Sequence, residues 1–407
     1  MVRLAPGATE GRTLTAVGYH RVMFLGSDVL FERDLLRGRT VGLVCNPASV
    51  NARFVHVLTA AEAAGVRIGA IFGPQHGFRS DLQENMIESS HARDTRRGVP
   101  VYSLYSETRE PTSAMLADLD ALVIDLQDVG TRIYTFIYTM AHCLRAAAAH
   151  GLPVVVCDRP NPLGGIEVEG PMLEAGFESF VGLYPIPMRH GLTIGELARL
   201  FNEAFGIGAK LEVVAMRGWT RGAFYDETGL PWILPSPNLP TLESALVYPG
   251  TVLFEGTNVS EGRGTTRPFE LVGAPWIDPE PFAAGMNDRR LPGVHFRPAI
   301  FEPTFHKHAR TTCGGCQIHV NDRGTFRPVE TGVALLEAFR FADPEAFEWR
   351  APPYEYEHTI PPIDILYGSS QLRLGLEAGR SAADLVAGWT AGVQPFVDQR
   401  QSVLLYQ

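Results

Sequence analysis

Residues 121–158 read ALVIDLQDVGTRIYTFIYTMAHCLRAAAAHGLPVVVCD. ALVIDL (121–126) is a short, near-continuous apolar run, interrupted only by Asp125. IYTFIYTMAHCLRAAAAHG (133–151) is long enough for a helix, with Gly151 placed to end it, and PVVVCD (153–158) is a second apolar run. A strand that is apolar throughout, rather than alternating, has both faces covered. That pattern belongs to a parallel sheet held between helical layers. Outward from this unit the rhythm repeats. VGLVCN (41–46) and RIGAIFG (67–73) read as strands on either side of a helix, FVHVLTAAEAAG (54–65), with Gly65 at its C-terminal cap. TIGELARLFNEAFG (193–206) opens as a helix, and LEVVAM (211–216) follows as a strand. Thr193 and Glu196 have the spacing of a capping box, which gives Glu196 a structural task.

In open parallel sheets, ligands bind beyond the carboxyl ends of the strands. Those ends are polar here: Asn46-Pro47, Pro74-Gln75-His76-Gly77-Phe78-Arg79, Gln127-Asp128-Val129-Gly130-Thr131-Arg132 and Asp158-Arg159-Pro160-Asn161-Pro162. The turn after the first strand, NPASVNAR, lacks the GxGxxG dinucleotide fingerprint, and the chain has neither a Walker loop nor HExxH. No organic cofactor or metal is therefore expected.

After about residue 210 proline and glycine rise, and short strand-like runs such as those around YPGTVLFEGTN replace the regular alternation. Helices return at GVALLEAFRFA (332–342) and SAADLVAGWTAGV (381–393). The fold class expected is α/β: a Rossmann-like parallel-sheet domain over 21–209, then a smaller α+β domain over 210–407. Residues 1–20 read as a loosely ordered leader.

At 407 residues the chain is too long for one ordinary core, which agrees with two domains. A net charge of −10 argues against nucleic acid, whose phosphates need clustered cations. Lysine is scarce (Lys210 and Lys307), so nearly all the positive charge is arginine. The N-terminus has no apolar signal core and no run reaches the length of a membrane span, so a cytoplasmic protein without a membrane partner is expected. Five scattered cysteines do not form a disulfide framework. Cys313-Gly-Gly-Cys316 has zinc-like spacing with histidines nearby, but CQIHV alternates like a strand, and buried structural thiols are the better reading.

One segment of the second half stands out for chemistry. FEGTNVSEGRGTTRPFE (254–270) packs three carboxylates, two arginines and three glycines into seventeen residues. Such a surface suits a polar, many-hydroxyl or anionic ligand, although a solvated loop would look similar. Glu255, Asn258, Glu261 and Arg263 are its candidates. From the strand ends and neighbouring loops come His76, Arg79, Asp128, Arg132, Asp158, Asn161, Arg189, His190 and Asn238. Asp128 and Arg132 read either as a bridge across their turn or as ligand contacts. Tyr134 and Tyr138, four apart, share a helix face and serve either sugar contact or the core. Asp158 either anchors its proline-fixed loop or faces ligand.

Six long segments together resemble one family: FGPQHGFRSDLQENMIES (72–89), DLQDVGTRIYTFIYTM (125–140), DRPNPLGGIEVEGPML (158–173), YPIPMRHGLTIGELA (184–198), PSPNLPTLESALVYPGTVLFEGTNVSEGRGTTRPFELVGAP (235–275) and FEPTFHKHARTTCGGCQIHV (301–320). In content and order they resemble the NamZ or YbbC-type exo-β-N-acetylmuramidases, from about residue 25 to the end. The resemblance implies a cleft between the two domains and release of N-acetylmuramic acid from non-reducing ends of peptidoglycan fragments. The partner implied is a small sugar or muropeptide; oligomeric state is not legible. Glycoside cleavage ordinarily needs a carboxylic acid on the leaving oxygen, with a second carboxylate or the substrate's acetamido group at the anomeric carbon. The lactyl carboxylate calls for a clamp, with Arg79, Arg132, Arg189 and Arg263 on offer.

The family's motif is PEHG, and its glutamate is the expected acid. This chain has Pro74-Gln75-His76-Gly77. A glutamine amide cannot act as a general acid. Either another acid takes over (Asp81, Glu84 or Glu88 in the same loop, or Glu255 or Glu261), or the chain binds sugar without cleaving it, or it acts on a different bond.

Overall fold

The computed structural model describes residues 23–84 and 86–407; the expected leader over 1–20 lies outside the described residues. Twelve strands are described: β1 Thr40–Cys45, β2 Arg67–Gly73, β3 Ala92–Asp94, β4 Val99–Ser103, β5 Ala121–Asp125, β6 Val154–Cys157, β7 Glu169–Met172, β8 Pro187–Arg189, β9 Leu211–Val214, β10 Leu271–Ala274, β11 Val294–Phe301 and β12 Cys313–Val320. Seven form one sheet in the order β3-β4-β2-β1-β5-β6-β9, parallel except for the short edge strand β3. From β1 the chain first winds outward through β2 and β4. It then crosses back to β5 and winds the other way, so the order reverses between β1 and β5.

The two-residue side-chain period explains why the strands look uniformly apolar. Val41, Leu43, Cys45, Val123, Val155 and Cys157 face one layer, with Val29, Leu30, Val57 and Leu58. Val44, Leu122, Ile124, Val154 and Val156 face the other, against the helices Phe136–His150 and Ile194–Glu203. That second layer continues without a break into Phe254, Phe269, Val272, Phe296 and Leu335 of the smaller sheet and its helices. The smaller sheet, β10-β12-β11, is antiparallel.

Several elements depart from the sequence expectation. The helix expected from 54 begins at Val57, where the His56 ring accepts from Leu58 N. The helix expected from 133 begins at Phe136, and the three residues before it form a turn. ALVYPGTVLF, grouped with the strand-like runs, is the helix Leu242–Thr251 followed by the 3-10 turn Val252–Gly256. It is apolar all round and buried, which suits a core helix. The single helix expected over 381–393 is two, Ala382–Val386 and Trp389–Arg400. The capping box is present, and Glu196 also pairs with Arg221 and accepts from Leu405 N. The Tyr406 hydroxyl reaches Asp158, so the C-terminus closes onto the carboxyl end of β6. Among the described residues no helix is long and apolar enough to cross a membrane. Nor does any cluster of three or more His, Cys, Asp or Glu side chains suit a metal ion. Cys313 and Cys316 are buried thiols on β12.

Candidate active site beyond the second and fifth strands

Beyond β2 the chain turns sharply. Gly77 N–H donates to the Pro74 carbonyl at 2.9 Å, with φ of 67° at His76 and 77° at Gly77. The left-handed pair suits glycine and costs histidine some strain. The turn sets Gln75 and His76 against Tyr134 and Thr135, which follow β5, and all four line one cavity. Its opposite wall is Tyr248, Glu255, Arg263 and Phe269, and its roof is Tyr354 and Glu355. The free space among them is only ≈ 30 Å³, far below the several hundred Å³ of a small-molecule cleft. A space of that size does not hold a sugar ring. A wider groove of ≈ 680 Å³ lies elsewhere, around Phe24, Asp28 and Arg53. It holds no candidate of the sequence analysis.

The cavity's polar groups form two linked systems. In the first, Thr135 Oγ1 donates to Gln75 Oε1 at 2.7 Å, and Gln75 Nε2 donates to Glu355 Oε1 at 3.3 Å. Tyr105 Oη donates to Glu355 Oε2 at 2.8 Å. Desolvation pushes the Glu355 carboxyl up to about 7, helped by the charge of Glu255 and opposed by the two donors. In the second system, Arg263 donates to Glu255 Oε1 at 2.5 Å and Tyr354 Oη to Glu255 Oε2 at 2.6 Å. Behind them Glu261 meets Arg263 at 3.2 Å, Lys307 at 2.7 Å and His306 at 3.3 Å. Burial alone would raise the Glu261 carboxyl, but Lys307, His306 and Arg263 hold it down at about 2. His76 donates from Nδ1 to the Leu82 carbonyl at 2.7 Å, and burial lowers its ring to about 4. It is therefore a neutral imidazole with Nε2 left as an acceptor. Two groups on the wall, Tyr134 Oη and Arg263 Nη1, have no hydrogen-bond partner among the described residues.

The structure thus gathers Gln75, His76, Tyr134, Glu255 and Arg263 of the expected residues. The others lie off this cavity. Glu261 is buried behind the wall, where Lys307, His306 and Arg263 favour its carboxylate form. Glu84, like Asp81, is exposed and off the cavity. Glu88 is exposed and accepts from the Tyr356 hydroxyl. Arg79 is exposed on a separate face beside Phe78 and Arg97. Asp128 and Arg132 do not pair with each other. Asp128 meets His190 at 3.4 Å and accepts from Gly130 N. Arg132, fully buried, donates to the carbonyls of Pro171, Ile186, Leu366 and Tyr367, tying β7 to the end of the helix Pro362–Tyr367. Tyr134 and Tyr138 do not share a helix face, because the helix starts between them. Tyr138 packs in the core near Phe201.

Asp158 accepts from Thr193, Gly195 and Tyr406, and burial raises its carboxyl to about 7. Asn161 bridges Leu163 and Leu192, Arg189 donates to the Leu163 carbonyl, and His190 accepts from Leu192 N. Asn238 donates to the Gln83 carbonyl. Asn258 ties down Ala346 and Glu348. Of the four arginines considered for a carboxylate clamp, only Arg263 lines the cavity.

The residue the sequence reading missed is Glu355. It stands in PPYEYEHT, 280 residues from Gln75. Its turn is closed by paired hydrogen bonds between Tyr354 and Glu357, each 2.9 Å. Both central residues are left-handed, with φ of 45° at Glu355 and 70° at Tyr356. Glycine or asparagine is usual at such positions. Two bulky side chains there are the only local signal, and it shows only in the backbone.

Comparison with known proteins gives a consistent result. Models of the two halves of exo-β-N-acetylmuramidase NamZ match, the N-terminal one over residues 41–243 and the C-terminal one over 246–406. The sequence is 47% identical over 386 residues to the peptidoglycan β-N-acetylmuramidase NamZ of Bacillus subtilis, covering 94% of this chain and 91% of that protein. Two crystal structures of DUF1343 family proteins from Bacteroides fragilis share the fold. One has a TM-score of 0.85 at 34% identity, covering 95% of this chain and 100% of that one. The other has 0.73 at 27%, covering 95% and 99%.

Proposed function

Because this chain belongs to the NamZ family of exo-β-N-acetylmuramidases, we propose that it is a glycoside hydrolase releasing N-acetylmuramic acid from the non-reducing ends of peptidoglycan fragments. One observation carries the reading for this particular sequence: two carboxyl groups, Glu255 and Glu355, line the same cavity as Gln75. A glycosidase needs carboxyl chemistry at the scissile bond, and the amide at 75 does not remove it from the site. The unpartnered Tyr134 hydroxyl and Arg263 Nη1 offer donors to a polyhydroxylated, anionic sugar. Hydrolysis is favoured over binding alone because Glu355, which burial pushes up to about 7, lines the cavity in direct contact with Gln75.

The test is turnover of a chromogenic β-N-acetylmuramide by the purified chain. Release of the chromophore by the wild type is expected. An inert wild type that gains activity on Gln75→Glu would show that this sequence is not a working muramidase as it stands. A cytoplasmic location belongs to the same proposal, supported by five cysteines that remain free, buried thiols. Recovery of the protein from the culture medium would refute that part.

A further inference from the structure

We infer that Glu355 is the general acid of this enzyme, and that Gln75, where the family has glutamate, serves as a positioning residue for it. The inference rests on the muramidase reading above. Glu355 is the one cavity-lining carboxyl whose neighbours leave it free to hold a proton. Both oxygens of Glu255 are already engaged, one by the Arg263 guanidinium and the other by the Tyr354 hydroxyl. Among the described residues no cation lies within hydrogen-bond distance of Glu355: the neutral Gln75 amide and Tyr105 hydroxyl contact it, while farther off the Glu255 charge raises its carboxyl and the Arg109 charge lowers it. It is 4 % exposed, so its ionised form is poorly solvated, and burial holds its carboxyl near the pH at which it would work.

The backbone points the same way. Glu355 is kept in a left-handed conformation that strains a non-glycine residue. The surrounding contacts over-determine it. Tyr105 fixes Oε2, Gln75 fixes Oε1, and Glu355 N–H points at the Met86 sulfur, 3.4 Å away. Of the two oxygens, Oε1 has the longer and weaker contact, so it is the one a substrate can take over. The direction of the Gln75 amide is set by the Thr135 hydroxyl donating to its oxygen, which leaves the NH2 group facing Glu355.

In the reaction, the Glu355 carboxyl gives its proton to the glycosidic oxygen as the C1–O bond breaks. The bonding pair leaves with that oxygen, which becomes a hydroxyl of the departing sugar. Water supplies the new oxygen at C1, and by the end of the cycle one of its protons restores the carboxyl. A glutamate at position 75 could hold such a proton itself, whereas glutamine can only orient the group that does.

The experiment compares wild type, Glu355→Gln and Gln75→Glu on two substrates. One is a nitrophenyl β-N-acetylmuramide, whose leaving group needs little protonation. The other is the disaccharide of N-acetylmuramic acid and N-acetylglucosamine, whose leaving alcohol needs it fully. Glu355→Gln should lower kcat on the disaccharide by about 10²–10⁴-fold, and on the nitrophenyl substrate far less. The alkaline limb of its pH profile should vanish. Gln75→Glu, which retains Glu355, should move that limb upward, because a carboxylate replaces a neutral donor beside it. Equal losses on both substrates with the limb intact, or a limb unmoved by Gln75→Glu, would overturn the assignment while leaving the muramidase reading standing. A wild type inert on both substrates would overturn the two together.

Discussion

Glu261 shows how a carboxylate in a site-like sequence ends up as scaffold. It is fully buried, yet Lys307, Arg263 and His306 surround it, and Lys307 also donates to the Phe254 and Val259 carbonyls. That cluster fixes the segment carrying Glu255 and Arg263 to the loop around 305–308. Removing one charge from a buried pair leaves the partner uncompensated, at about 3–5 kcal/mol. Glu261→Gln should therefore cost stability of that order in urea unfolding, while the pH profile of whatever activity remains keeps its shape. A lost alkaline limb in that variant would mean that Glu261 donates protons after all. From sequence alone, Glu261 and Glu255 were equivalent, because both stand in the same glycine-rich run. Their difference lies in Lys307, 46 residues away. Likewise Arg132, Arg189, His190 and Asn161 all bond to buried backbone, a demand that looks like ligand binding in the sequence.

At the scale of elements, the site depends on how the helix Leu242–Thr251 meets the helix Pro328–Ala342. They cross at Gly250 and Gly332. A Cβ on Gly332 would lie 2.4 Å from the Gly250 carbonyl oxygen, and one on Gly250 would lie 1.9 Å from that of Pro328. Both obstacles are backbone, so neither can swing aside. The first helix runs directly into the 3-10 turn Val252–Gly256 that bears Glu255. Gly332→Ala should therefore push this helix away, costing about 1–3 kcal/mol as overpacking and lowering kcat although residue 332 is not part of the cavity wall. Denaturant midpoints and steady-state rates check this, and a variant with wild-type values for both would show that the crossing has slack. A Pro-Gly pair such as Pro249-Gly250 is locally a turn signal, yet it lies inside this helix. Tertiary packing gives the glycine a different purpose here, as the point of closest approach between two helices. The parallel strands, by contrast, were legible, because burial on both faces leaves an unbroken apolar run.

Across the whole molecule, strand ends were readable but their convergence with the second half was not. The contacts that complete the site and the sheet end, Gln75 to Glu355 and Asp158 to Tyr406, span 280 and 248 residues, and no local pattern encodes them. These distant closures bury three carboxyls at a cost that depends on pH. Desolvation carries Glu355 and Glu169 from 4.5, and Asp158 from 3.8, up to about 7. Between the unfolded value and about 7 the folded chain keeps protons that the unfolded chain has released. Stability from these groups is therefore fully present below pH 4 and declines as pH rises to about 7. Glu261 acts in the opposite sense, with its stabilisation present above 4.5 and lost toward pH 2. The melting temperature should consequently fall from pH 5.5 to pH 8.5. Glu355 alone accounts for on the order of 2 kcal/mol of that trend, at about 1.4 kcal/mol for each tenfold change in proton affinity. Glu355→Gln replaces the carboxyl with an amide of the same shape that never ionises. It should match the wild type near pH 5, melt higher than the wild type at pH 8.5, and remain the poorer catalyst throughout. A stability difference that stays constant from pH 5 to 8.5 would place the Glu355 proton affinity at an ordinary carboxyl's value and remove the reason for burying it beside Gln75.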